Sequence, residues 1–203
     1  MRFLSWLEAM RGRITERDTA ARRRKAKLPV AGQLEQLEGK SLLSVSALFV
    51  NGELSIVSNA DDNITVGSIG AGATTRVQVL ANGNPVTSVA SVPTSSVTSI
   101  VVQGGNLSNA INLSGVSVAN YPNLTGINVD GGHGSDTISG SNGIAETLLG
   151  NHGDDVITCL NGASSINGND GNDTIVAGGG DDSINGDDGD DSINGGDGND
   201  TII

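Results

Sequence analysis

From Gly131 to Ile203 the chain repeats nearly every nine residues, and that spacing restricts the fold more than any other feature of the sequence. The units read GGHGSDTIS from Gly131, GNHGDDVIT from Gly150, CLNGASSIN from Cys159 and GNDGNDTIV from Gly168. AGGGDDSIN from Ala177, GDDGDDSIN from Gly186 and GGDGNDTII from Gly195 complete the set, so six units from Gly150 onward keep strict register. Between Gly140 and Leu149 lies a ten-residue unit, GSNGIAETLL, with Glu146 near the usual acid position. The consensus is G-G-x-G-x-D-x-U-x, where U is aliphatic. A disordered glycine- and aspartate-rich linker would share this composition but has no need of isoleucine at every ninth position.

The spacing predicts a turn followed by a short strand. Glycine at positions one, two and four is expected to allow left-handed or strained backbone, so that carbonyl oxygens point inward. Aspartate at position six adds a carboxylate at the turn exit. The aliphatic residue at position eight then faces inward from a three-residue strand. The expected inner stack is Ile138, Ile157, Ile166, Ile175, Ile184, Ile193 and Ile202. Such a stack has to substitute for a bulky core, because aromatic residues make up 2% of the chain against thirty glycines. Charge points the same way: fourteen acids and no Lys or Arg follow Gly131, so the acids stay solvated, repel one another or meet cations from outside. Carbonyl and carboxylate oxygens are hard ligands that suit calcium, and this stretch has no Cys/His cluster for softer metals.

The repeat resembles the haemolysin-type (RTX) calcium-binding nonapeptide over residues 131–203. The resemblance implies an all-β chain ending in a right-handed parallel β-roll, with two nonapeptides per coil and Ca2+ between stacked turns. It places Asp136, Asp155, Asp173 and Asp191 on one edge, and Asp182 and Asp200 on the other. The implied sites lie at 136/155, 155/173, 173/191 and 182/200. Ser164 replaces the acid in its unit, which predicts a weak or absent site where it meets Asp182, and the ten-residue unit puts the 136/155 pairing in question. Extracellular modules of this kind bind calcium with Kd of roughly 0.1–1 mM.

Upstream, residues 45–130 read as irregular β segments: Leu54–Val57, Ile64–Val66, Arg76–Leu80, Val97–Val102 and Ile127–Val129 are short and β-branched. Two stretches echo the repeat. Ser58–Thr65 keeps Asp62 and Ile64, and Gly104–Asn112 keeps Ile111 but has Asn109 in place of Asp. They read either as related strands that have lost their metal or as ordinary Asn/Gly turns. Residues 1–44 form a basic leader holding all of the chain's Lys and Arg except Arg76, with an amphipathic, helical or disordered start at Phe3, Leu7, Met10 and Ile14. Leu34–Ser44, LEQLEGKSLLS, resembles the N-terminal segment of large bacterial surface and secreted repeat proteins. Ser41–Val50 reads either as an export-signal core, with Val45-Ser46-Ala47 suited to cleavage, or with Leu42–Val50 as a first strand.

The acidic tail argues against nucleic acid as partner, and no apolar run is long enough for a transmembrane helix. Neither a nucleophile elbow, a zinc-protease motif nor a phosphate loop occurs. His133 and His152 fall at position three of turns, and Cys159 is an unpaired thiol at a turn start. These features predict a non-enzymatic, calcium-binding structural or adhesive protein, secreted or at the cell surface. The alternative is a fragment of a larger repeat-bearing enzyme or toxin. The uncapped last repeat predicts truncation or end-to-end self-association, and a cell-surface partner is the other expected contact.

Overall fold

The computed structural model describes residues 45–203; the leader helix, the basic run Arg22–Lys25 and the Leu34–Ser44 motif lie outside the described residues. The fold is all-β, as the sequence predicts, with two eight-stranded sheets. The first sheet places side by side β1 (Val45–Val50), β2 (Glu53–Ser58), β6 (Ser99–Gln103), β8 (Gly126–His133), β10 (Glu146–His152), β12 (Ser164–Asp170), β14 (Ser183–Asp188) and β16 (Thr201–Ile202). The second runs β15 (Ser192–Asn194), β13 (Thr174–Val176), β11 (Val156–Thr158), β9 (Thr137–Ser139), β7 (Ala110–Asn112), β3 (Asn63–Ile69), β4 (Arg76–Ala81) and β5 (Asn84–Pro85).

From β6 onward consecutive strands alternate between the two sheets, and every neighbour in each sheet is parallel. A parallel neighbour is therefore reached through the opposite sheet, without the usual helical crossover. The upstream end is different. There β1–β2, β3–β4 and β4–β5 are antiparallel. Two of these hairpins turn on Asn-Gly pairs, Asn51-Gly52 at φ 52° and 91° and Asn82-Gly83 at φ 51° and 77°. Positive φ at both central residues suits the tight turn that matches strand twist. All five β segments expected upstream of Gly131 overlap strands, and Val45–Val50 forms β1 with Val45 and Ala47 buried.

The aliphatic residues form rows rather than one seam. In the second sheet Ile64, Ile111, Ile138, Ile157 and Ile175 follow one another in register, each with at most 1% of its surface exposed. In the first sheet the matching row is Ile56, Val102, Val129, Leu148, Ile166 and Ile184. Leu148 thus fills the inward position in the ten-residue unit. Full burial of one such side chain contributes about 1.5–3 kcal/mol, so the rows together stabilise a chain nearly free of aromatics. Ile202, expected inside, is 52% exposed, and Ile193 is half-buried, because the last coils have fewer neighbours to cover them. The single tyrosine, Tyr121, is fully buried and donates its hydroxyl to the Gly67 carbonyl, while burial pushes its phenol upward. Among the described residues no helix is long and apolar enough to cross a membrane.

Candidate metal centre

The nonapeptide turn divides its positions by physical role. Position four takes positive φ in every repeat, for example 120° at Gly153 and 142° at Gly171, which needs glycine. Position two is also left-handed at Asn151, Asn169 and Asp187, with φ between 65° and 75°. At the latter two the asparagine two residues earlier assists: Asn167 Oδ1 accepts the Asn169 N–H at 3.2 Å, and Asn185 Oδ1 accepts the Asp187 N–H at 3.3 Å. Position one corrects the sequence reading. Gly131, Gly150, Gly168, Gly186 and Gly195 are not left-handed. They are glycine because the position-six carboxylate fills the space of a side chain. A methyl group on Gly150 would lie 2.2 Å from Asp155 Oδ2, and one on Gly168 would lie 2.1 Å from Asp173 Oδ2.

The position-six residues stack along both edges. On the edge beside the second sheet, Asp155 Oδ1 accepts the Asp136 N–H at 2.6 Å. Asp173 accepts from Asp155, and Asp191 from Asp173, both at 2.8 Å. The column continues upstream, where Asp136 accepts the Asn109 N–H at 2.7 Å and Asn109 accepts the Asp62 N–H at 3.2 Å. On the other edge Asp182 accepts the Ser164 N–H at 2.7 Å, and Asp200 accepts the Asp182 N–H at 3.1 Å. The structure therefore brings the six predicted aspartates together in two columns, split as the resemblance implies. The ten-residue unit does not interrupt 136/155, since its extra residue is taken up in the opposite turn. There Asn142 pairs with Asn161, nineteen residues on, whereas Glu146 pairs with Ser164, eighteen on.

Each aspartate uses Oδ1 for this ladder. The second oxygens of Asp136, Asp155, Asp173 and Asp182 are buried with no hydrogen-bond partner. A buried carboxylate oxygen without a donor costs several kcal/mol unless a proton or a cation meets it. Desolvation accordingly pushes Asp136 up to about 6, against the opposing bond from Asn109. Asp155 is pushed up to about 7 by the same desolvation, with the Asp136 and Asp173 charges adding to it. Burial also raises Asp173 and Asp182. Upstream the environment differs: Asp62 takes hydrogen bonds from Ser58 Oγ at 2.6 Å and Asn82 Nδ2 at 2.7 Å. The chain's own donors serve that carboxylate, whereas Asp155 and Asp173 have oxygens that face no donor. The buried unpartnered oxygens, with hard backbone carbonyls close by, fit a calcium ion. Where a methyl on Gly168 would sit, Asp173 Oδ2 lies 2.1 Å away and the Gly186 carbonyl oxygen 2.9 Å away, so a backbone oxygen of the next turn stands beside the carboxylate.

Position five carries a ladder that the sequence reading missed. The Asn172 N–H donates to Asp154 Oδ1 at 2.8 Å, and Asp190 N–H to Asn172 Oδ1 at 2.9 Å. On the other edge the Asn199 N–H donates to Asp181 at 2.9 Å, and its bonds hold the Asp181 carboxyl below the ordinary range. These bonds run opposite to those of position six. The signal was the recurring Asp or Asn immediately before the position-six acid. His133 and His152 stack with ring centroids 4.4 Å apart, and His152 Nδ1 lies 2.7 Å from Asp170 Oδ2 at the exposed turn. Among the described residues no three His, Cys, Asp or Glu side chains converge as a ligand group.

Comparison with known proteins agrees with the turn geometry. A family model described as the RTX calcium-binding nonapeptide repeat matches residues 167–202 in four copies. No curated protein and no solved structure matches the chain. Residues 167–202 therefore match the RTX calcium-binding nonapeptide repeat, a class that binds Ca2+.

Proposed function

We propose that the two carboxylate columns hold calcium between successive turns and that the ions order residues 131–203 as a right-handed parallel β-roll. In this reading Asp136, Asp155, Asp173, Asp182, Asp191 and Asp200 are the side-chain ligands, and backbone carbonyls complete each shell. The observation that carries it is the set of buried, donorless Oδ2 atoms at Asp136, Asp155, Asp173 and Asp182. No Lys or Arg lies downstream of Gly131 to neutralise them. Bound calcium supplies that charge and so couples binding to folding.

The larger role is stiffening of a secreted or surface protein of structural or adhesive type, without catalysis by this chain. Repeats of this kind and the leader's surface-protein motif support that reading. The alternative is service as the repeat segment of a larger secreted enzyme or toxin. Self-association belongs to the same proposal, and sedimentation in calcium would find only monomer if it is wrong.

The decisive experiment is a calcium titration of the whole chain followed by far-ultraviolet circular dichroism. β-signal is expected to grow with a midpoint of roughly 0.1–1 mM and to be lost in chelator. An unchanged spectrum in strong chelator would overturn the proposal.

A further inference from the structure

The edge carrying Asp182 and Asp200 holds a carboxylate that departs from the repeat. Glu146 stands in register with Ser164, one coil before it, in the ten-residue unit. It is 5% exposed, and its Oε1 accepts the Ser141 N–H at 2.6 Å. Its other oxygen occupies the place held elsewhere by aspartate Oδ2. In the regular turns a methyl on the position-one glycine would meet that Oδ2 at 2.1–2.5 Å; on Gly140 it would meet Glu146 Oε2 at 2.3 Å. The inserted residue moves the acid from position six to position seven, and the additional methylene of glutamate returns the oxygen to the same point.

Two further observations mark this turn. Ser141 Oγ is buried, with 1% of the residue exposed, and has no hydrogen-bond partner. In the next coil Ser164 takes the acid's position, and position one is Cys159 rather than glycine. The shorter position-six side chain leaves room there for the buried thiol, while the Ser164 hydroxyl donates to the Gly162 carbonyl at 3.2 Å. The gap expected from Ser164 therefore lies between two carboxylates, Glu146 on one side and Asp182 on the other, with Asp182 Oδ2 also unpartnered.

We infer that Glu146 is a calcium ligand, with the Ser141 and Ser164 hydroxyls beside it, and that this turn pair binds an ion although its repeat lacks the aspartate. The inference rests on the reading of the aspartate columns given above. It extends the cation row on this edge by one coil upstream of Asp182. Cys159 lies against that row, where the Glu146 and Asp182 charges join burial in pushing its thiol up to about 12.

The test counts calcium bound by the whole chain, using equilibrium dialysis at saturation, in wild type and in Glu146→Gln. The variant is expected to bind one ion fewer. In saturating calcium its Cys159 should also react with a thiol reagent at least about tenfold faster, because the turn above the sulfur opens locally. Asp197→Asn, an exposed residue on the same edge, two coils away from Cys159 and outside the carboxylate column, is the control and should leave that rate unchanged. An unaltered ion count in Glu146→Gln overturns the inference while leaving the aspartate columns standing. Wild-type protein that binds no calcium overturns both readings. Should Glu146→Gln fail to fold, Glu146→Asp reports instead: it keeps the charge but is one methylene shorter, so it too should lose an ion, and a full count would refute the assignment.

Discussion

At the residue scale the repeat is a packing agreement between positions one and six. The carboxylate turns back over its own turn, so glycine stands at position one for want of space. Gly168→Ala places a methyl 2.1 Å from Asp173 Oδ2 and 2.9 Å from Gly186 O. Overpacking of this kind costs about 1–3 kcal/mol. A lowered melting temperature in saturating calcium is therefore expected. Gly179→Ala is the matched control, since its nearest neighbour, Asn161 Oδ1, would lie 3.2 Å away and its φ is not left-handed; it should melt close to wild type. Asp173 stands between Asp155 and Asp191, whereas Asp200 has a partner only in Asp182. Asp173→Ala should thus weaken calcium binding more than Asp200→Ala in parallel titrations, and equal losses would argue against this stacking order. The aspartates themselves were legible from spacing alone. The reason for glycine at position one was not, because sequence does not reveal which way a carboxylate turns.

At the scale of strands, the period of nine was enough to place β9, β11, β13 and β15 and to put an isoleucine at the centre of each. It said less about partners. That Leu148 continues the first-sheet row, or that the ten-residue unit spends its extra residue in a turn, depends on pairing across coils, which one unit alone does not encode. Upstream, β-branched composition marked the strands, but the antiparallel hairpins follow from Asn51-Gly52 and Asn82-Gly83. The echo at Gly104–Asn112 proved to be in column with the repeats through Asn109, although its own sequence left that open. Row position also sets mutational cost. Ile157→Ala, in the middle of the buried second-sheet row, should destabilise the calcium-loaded protein by about 2–5 kcal/mol. Ile202→Ala, at a residue 52% exposed, should change little. Thermal or denaturant melts of the two variants would check the contrast.

For the whole molecule the buried acids make stability depend on pH in opposite senses with and without metal. In the metal-free fold Asp136 and Asp155 are raised to about 6 and about 7, against roughly 3.9 in an unfolded chain. The fold then holds more protons than the unfolded chain between these values, so its stability is greatest below about pH 4 and falls as pH rises toward 7. In chelator, circular dichroism should report more β-structure at acid pH than at neutral pH. With calcium the carboxylates must be ionised, so affinity should fall as pH drops through about 7 to 6; a pH-independent titration would contradict this. One asymmetry has a larger result. On the first-sheet edge the carboxylate row gives way upstream to Ile127, Ile100 and Leu54, all buried. On the opposite edge Asp62 is served by Ser58 and Asn82. The upstream strands thus hold together by apolar burial and amide donors, and under the proposed calcium-dependent ordering they offer a finished rim onto which the downstream repeats can be laid one after another. Assembly is thereby given a direction, like a zip closing from its sewn end, and in chelator hydrogen exchange should find β2, β3 and β6 still protected when β13 to β16 are open.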